Sequence, residues 1–244
     1  MDIKIPYTPR KHQAFLHNKI SKNRWSVLVC HRRFGKTVCM INHLIRSALL
    51  SKQKNPRYAY ISPTFKQSKS IAWDYMKQFT AKIPYTKFNE TELRVDLPNG
   101  ARITLLGAEN SDGLRGIYLD GCVIDEYANV HSKLFPEIIR PALSDRKGYC
   151  VFIGTPQGMN NNFYELYQHA QGADDWFNYI AKASDTKIVD PEELVKAKEV
   201  MGDKKYQQEF ECDWIANIEG AIYNDVLVKM EDKKQITRVP YDPS

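Results

Sequence analysis

The chain has 244 residues, 43% of them hydrophobic and 26% charged, and its 35 Lys and Arg against 29 Asp and Glu give a formal net charge of +6. That profile excludes a disordered tail or a fibrous repeat, and the length suffices for a sizeable core without disulfide staples. No apolar run approaches the roughly 20 residues of a membrane span, and the start Met1-Asp2-Ile3-Lys4 lacks the apolar stretch of a signal peptide, so membrane and secretory roles are disfavoured.

Five cysteines without a C-x-x-C pair argue against a disulfide framework and a structural zinc site, and for a reducing compartment. The six histidines show no metal-ligand spacing. The mild positive charge biases the chain towards a polyanionic partner without specifying one.

In chain order, Arg10 to Asn18 mixes basic and apolar positions near helical spacing. The run Ser26-Val-Leu-Val-Cys30 predicts a strand, and from Thr37 the residues Val38, Ile41, Leu44, Ile45, Ala48 and Leu49 fall on one helical face. Tyr58 to Ser62 reads as the next strand, stopped by Pro63 and followed by a helix through Trp73 to Phe79. Leu93–Leu97 and Arg102–Leu106 flank Pro98-Asn99-Gly100, a hairpin signal of the kind in which both central turn residues take positive φ. Gly121–Ile124 and Tyr149–Ile153 are continuous apolar runs, as expected of strands buried on both faces, with a helix carrying Leu134, Ile138, Ile139 and Leu143 between them. Trp176–Ile180 predicts a further strand, Pro191 opens a helix, and another helix spans Lys204 to Trp214. Alternating strands and helices define an α/β fold with a largely parallel sheet, and the hairpin is an antiparallel extension at one edge.

Between the first strand and its helix stands Cys30-His31-Arg32-Arg33-Phe34-Gly35-Lys36-Thr37. Its spacing is that of G-x-x-x-x-G-K-[ST], with Cys30 in place of the first glycine, a position where a Cβ makes positive φ costly. Such a loop wraps phosphates with backbone N–H groups at the positive end of a helix, and Lys36 would reach the β- and γ-phosphates of ATP while the Thr37 hydroxyl holds Mg²⁺. The competing reading is a basic turn before an amphipathic helix. Downstream, the run Cys122-Val-Ile ends in Asp125-Glu126. Asp125 suits Mg²⁺ beside Thr37, and Glu126 suits a general base that polarises the attacking water. Two solvated carboxylates at a strand end are the plainer alternative. The combination predicts an ASCE-type, RecA-like P-loop NTPase.

The ordered series Arg10-Lys-His-Gln13, the arginine-bearing loop, Ile61-Ser-Pro-Thr-Phe-Lys-Gln67, Leu114-Arg115-Gly116, Val-Ile-Asp125-Glu126, Gly154-Thr155-Pro156 and Tyr206-Gln-Gln-Glu-Phe210 resembles the ATPase domain of the large terminase subunit of tailed bacteriophages, the DNA-packaging motor. The resemblance spans most of the chain. It implies that Gln13 recognises adenine, that Arg32 rather than Arg33 senses the γ-phosphate, and that Arg115 is a finger reaching into a neighbouring subunit. Thr155 would be the coupling residue, and Ser62, Thr64 and Lys66 lie where related ATPases touch nucleic-acid phosphates. Plainer roles compete: a surface amide for Gln13, a carboxylate partner for one of the loop arginines, a loop arginine for Arg115 and a capping hydroxyl for Thr155.

The resemblance further implies a motor that translocates double-stranded DNA into a preformed capsid, acting as a homo-oligomeric ring, a pentamer by the family's pattern. Its other partners would be the capsid portal and the small terminase subunit, with no membrane involved, in the cytoplasm of the infected bacterial host. The expected division is an ATPase domain over 1–219 and a connector over 220–244 leading towards a nuclease domain, with no nuclease activity in this chain. Two other functions fit part of the pattern: a fragment of a DEAD-box-like helicase, and a nucleotide-gated DNA-binding module without hydrolysis.

Overall fold

The computed structural model describes residues 5–215 together with residues 230 and 235. The connector expected over 220–244 therefore lies, apart from two isolated residues, outside the described residues. The chain enters through helix α1 (Lys11–Ile20) into strand β1 (Trp25–Cys30), the phosphate-loop segment and helix α2 (Lys36–Leu50). Strand β2 (Arg57–Ser62) leads through a π-helical stretch (Ser68–Trp73) into α3 (Asp74–Thr80), where a regular helix was expected. Strands β3 (Lys87–Asn89), β4 (Arg94–Asp96) and β5 (Arg102–Gly107) follow, then β6 (Gly121–Asp125) and β7 (Tyr149–Gly154). Helix α4 (Asn162–Gln171), strand β8 (Trp176–Ala181), α5 (Pro191–Met201) and α6 (Asp203–Phe210) follow, with shorter helical turns between them.

The sheet runs β3-β4-β5-β2-β6-β7-β1-β8, parallel throughout except for the β3–β4–β5 edge. The apolar runs of β1, β6 and β7 are buried because helices cover both faces. Alternation along β1 divides the core: Leu28 and Cys30 pack with Ile41, Leu44 and Ile45 of α2, whereas Val27 and Val29 pack with Phe163 of α4 and with Leu134 and Ile139. Because parallel strands begin at one edge of a sheet and end at the other, β1, β6 and β7 deliver Cys30, Asp125 and Gly154 to the same edge.

Three local expectations are corrected. The hairpin turn is not one with two positive-φ residues: Pro98 is held at negative φ, and only Gly100 is left-handed, at φ +82°. Gly100 N–H bonds the Leu97 carbonyl, and Leu97 and Ala101 close the ladder at 2.8 Å, the geometry of a type I turn with a bulge. The helix expected between β6 and β7 opens as a π-helix over Leu134–Ile139 before the α-helical turn Arg140–Ala142, where Pro141 has no N–H to donate to the Glu137 carbonyl. The helix expected over Lys204 to Trp214 stops at Phe210: Cys212 turns left-handed at φ +55°, and Trp214 folds back onto Phe163, Tyr164 and Tyr167 of α4.

Candidate active site

The chain turns out of β1 without a glycine at the first motif position. Cys30 stays extended, buried and paired with Ala181 of β8, so it needs no positive φ. The reversal is made later, by Arg33 at φ +71° and Gly35 at φ +87°. Gly35 caps α2, and a Cβ there would meet Gln13 Nε2 at 3.0 Å.

Several loop groups predicted to touch nucleotide are already engaged. The N–H groups of His31, Arg32 and Phe34 donate to the carbonyls of Ala181, Glu209 and His31. Those of Gly35, Lys36 and Thr37, at the start of α2 where no helical acceptor exists, are left to wrap a phosphate. The imidazole of His31 is buried and kept neutral by desolvation. Its Nδ1 faces the Arg32 carbonyl at 2.6 Å, so Nδ1 donates and Nε2 accepts from Thr186 Oγ1 at 2.8 Å. The Phe34 ring is buried against His31. These two side chains shape the loop from inside rather than facing a ligand, while Arg33 stays exposed.

Lys36 joins the two motif halves. Its Nζ donates to the Cys30 carbonyl at 3.2 Å and stands 3.9 Å from Glu126 Oε1. Asp125 accepts from the Tyr60 hydroxyl on one oxygen and from Glu126 N–H, at 3.0 Å, on the other. The Thr37 side chain also lies close enough to the Tyr60 hydroxyl to influence it, which places the Thr37 hydroxyl and the Asp125 carboxylate around one phenol. Burial raises the pKa of both carboxylates, against the opposing pull of Lys36. Glu126 adopts left-handed backbone at φ +47°, a strained conformation for a glutamate, right after β6 ends.

Gln13, 4% exposed, accepts from Arg10 N–H at 3.0 Å and Tyr7 OH at 3.4 Å, and donates to the Gly35 carbonyl at 3.3 Å. Both carbonyl lone pairs are thus filled, and one amide N–H remains for a base edge. Thr155 directly follows β7, the neighbour of the loop strand, and its contact with the site is through its backbone N–H beside the Glu126 carboxylate. Arg115 follows a 3₁₀ segment, and its guanidinium lies 4.0 Å from Glu137 Oε2. Ser62 is buried and Thr64 caps the turn after it, which leaves Lys66 exposed at that strand end.

Sequence reasoning passed over Tyr60, and gave no role to Arg10 and Glu209, which stand in the ordered series quoted above. Tyr60 reads as a core aromatic, and the one available signal is that a buried phenol demands a partner. Arg10 donates to the Phe34 carbonyl at 3.3 Å. Glu209 stands 3.9 Å from Arg32, so the arginine expected to sense phosphate also has the carboxylate partner of the plainer reading.

Among the described residues no group of three or more His, Cys, Asp or Glu could hold a metal ion. One hydroxyl and one carboxylate around Tyr60 nevertheless fit Mg²⁺, which takes few protein ligands and keeps water and substrate phosphates for the rest. No helix of the described residues is long and apolar enough to cross a membrane.

The strand between the loop strand and the Asp-Glu strand, with the glutamate directly after β6, defines a P-loop NTPase of the ASCE, RecA-like class. The family model for the N-terminal part of the T4likevirus-type large terminase subunit matches residues 29–229, and the chain belongs to that family. It is 26% identical over 182 residues to the terminase large subunit of Thermus phage G20c, covering 67% of this chain and 36% of the relative. The match to the large subunit of Thermus virus P23-45 has the same extent, so the chain spans about a third of the length of these curated relatives. In three dimensions it resembles the large terminase ATPase domain of Thermus phage P74-26, with TM-score 0.72, 21% identity, and 86% and 96% of the two chains covered. The large terminase of another thermophilic bacteriophage, solved in complex with ADP, superposes with TM-score 0.73 at 16% identity over 84% of this chain and 53% of that one.

Proposed function

We propose that the chain is the Mg²⁺-dependent ATPase of a phage DNA-packaging motor. The observation that carries this reading is Lys36 Nζ, 3.9 Å from Glu126 Oε1: the phosphate lysine and the general base face one space at the sheet edge. The thermophilic phage terminase solved with ADP, and also with ATP-gamma-S, supports ATP as the ligand.

The N–H groups of Gly35, Lys36 and Thr37 wrap the phosphates, and Lys36 neutralises the β- and γ-oxygens. Arg32 reaches for the terminal phosphate. Thr37 and Asp125 would hold Mg²⁺, which supplies charge stabilisation at the phosphate oxygens. Glu126 takes a proton from the attacking water. Its half-buried carboxylate is more basic than an ordinary one, and the Thr155 N–H fixes its direction. The remaining N–H of Gln13 Nε2 meets the adenine edge.

Thr155, buried and bound through its backbone to Glu126, passes the loss of phosphate to the rest of the domain. Arg115 serves the site of a neighbouring subunit in a pentameric ring that moves double-stranded DNA through the portal, with the small terminase subunit as a further partner, in the host cytoplasm. Residues 1–219 act as the ATPase domain, and 220–244 as the connector towards a nuclease. The DNA contacts are electrostatic and therefore salt-dependent.

The deciding experiment is the ATP hydrolysis rate per subunit as protein concentration rises, with Mg²⁺ present. A rate that climbs with concentration is expected. A constant appreciable rate would remove Arg115 from the mechanism, and absence of hydrolysis at every concentration would overturn the ATPase reading of this chain.

A further inference from the structure

Helix α6 touches the phosphate loop and the end of β7 through consecutive residues. The Glu209 carbonyl accepts from Arg32 N–H at 2.7 Å, and the Glu209 carboxylate lies 3.9 Å from the Arg32 guanidinium and 3.2 Å from Lys205 Nζ. The carboxylate side is sheltered, at 14% exposure, while the Arg32 side chain is 64% exposed. One residue earlier, buried Gln208 donates from Nε2 to the Pro156 carbonyl at 2.6 Å. Pro156 follows Thr155, whose N–H holds Glu126, and Glu126 faces Lys36. A closed path of contacts therefore leaves the loop at Arg32, crosses α6, and returns to the loop at Lys36.

We infer that Glu209 is a positioning residue for Arg32, competing with the terminal phosphate of a nucleoside triphosphate for the guanidinium and so linking phosphate occupancy to helix α6. The inference rests on the phosphate-loop reading above. At 3.9 Å and with one partner well solvated, the Arg32–Glu209 pair is loose, and such pairs are weak. A terminal phosphate offers the planar guanidinium fork a more highly charged acceptor with matching geometry. When Arg32 turns to it, Lys205 remains to compensate Glu209, so the carboxylate is not left unpaired. A diphosphate lacks the terminal group and does not draw Arg32 away. Glu209 thus lowers affinity for triphosphate selectively, and its loss of one cation partner is felt by the helix whose Gln208 holds the end of β7.

The test is the affinity of the 244-residue chain for ADP and for a non-hydrolysable ATP analogue, each with Mg²⁺. Glu209→Gln removes the competing charge at constant shape and is expected to tighten analogue binding about two- to fivefold while leaving ADP unchanged. Lys205→Ala, at a half-exposed side chain whose Nζ also donates to Gln208 Oε1 at 3.1 Å, frees Glu209 for Arg32 and is expected to weaken analogue binding by a similar factor. In an Arg32→Ala background neither change should have any effect. Equal shifts for ADP and analogue, or persistence of the effect without Arg32, would overturn the role of Glu209 alone. A wild-type chain that binds neither nucleotide would instead overturn the phosphate-loop reading itself.

Discussion

The hydroxyl of Tyr60 on β2 donates to the carboxylate of Asp125 at the end of β6, two adjacent parallel strands whose residues here stand 65 positions apart. The Thr37 side chain stands beside the same hydroxyl, so one phenol neighbours both groups proposed to hold Mg²⁺. Tyr60→Phe removes that brace and leaves Asp125 more costly to ionise. We expect a several-fold higher Mg²⁺ requirement for hydrolysis and a stability loss of about 1–2 kcal/mol. A Mg²⁺ titration of the rate, with urea unfolding, checks both, and an unchanged Mg²⁺ requirement would refute the brace.

Glu126→Gln keeps the shape of the site and its contact with Thr155 but removes the proposed base. Hydrolysis should fall roughly 10²–10⁴-fold while nucleotide binding persists. For the wild type, burial holds the Glu126 pKa above its ordinary 4.5. The proposed base acts in its ionised form, so kcat/KM, which reports the nucleotide-free chain, should fall as pH drops through that raised value. A pH–rate profile that stays flat down to pH 4.5 would contradict this.

Arg115, ion-paired at 4.0 Å with Glu137, lies on a surface segment with glycine on either side, and its proposed target belongs to another subunit. Arg115→Ala and Glu126→Gln chains should each be inactive alone. Mixed in equal amounts, they should regain activity, because intact Glu126 in one subunit meets intact Arg115 from the next across a head-to-tail interface. Mixtures no faster than the parents would place the arginine elsewhere.

His17 and His43 stack with Nδ1 atoms 3.2 Å apart, against Tyr7, Cys39 and Tyr149, with Arg46 close enough to repel charge on both. Desolvation is the larger cause, and it lowers their pKa values to about 4 and about 3. In the unfolded chain both titrate near 6.5. The unfolded state then binds more protons below that value, so the stability from this pair is complete above about pH 6.5 and declines as pH falls towards about 4. By about pH 5 the loss should be about 2 kcal/mol per histidine, an order-of-magnitude figure. Denaturant unfolding at about pH 7.5 and about pH 5, with His43→Gln as a comparison, measures it. Equal wild-type stability at the two values would sink the idea.

The β1–loop–α2 unit, the buried apolar strands, the antiparallel edge and the Asp125-Glu126 strand end were all legible in the amino-acid order. Each of these rests on short-range pattern: apolar runs of strand length, a helical face after Thr37, and turn residues with restricted φ. What those residues meet became visible only in three dimensions. Tyr60 reaches Thr37 and Asp125, the Thr155 N–H reaches Glu126, and Glu209 reaches Arg32, because the strand order β2-β6-β7-β1-β8 gathers segments far apart in sequence at one edge of the sheet. Periodicity records which face a residue buries, but not which distant polar atom completes its hydrogen bonds. That pairing is fixed only once the sheet is assembled and every buried donor must find an acceptor.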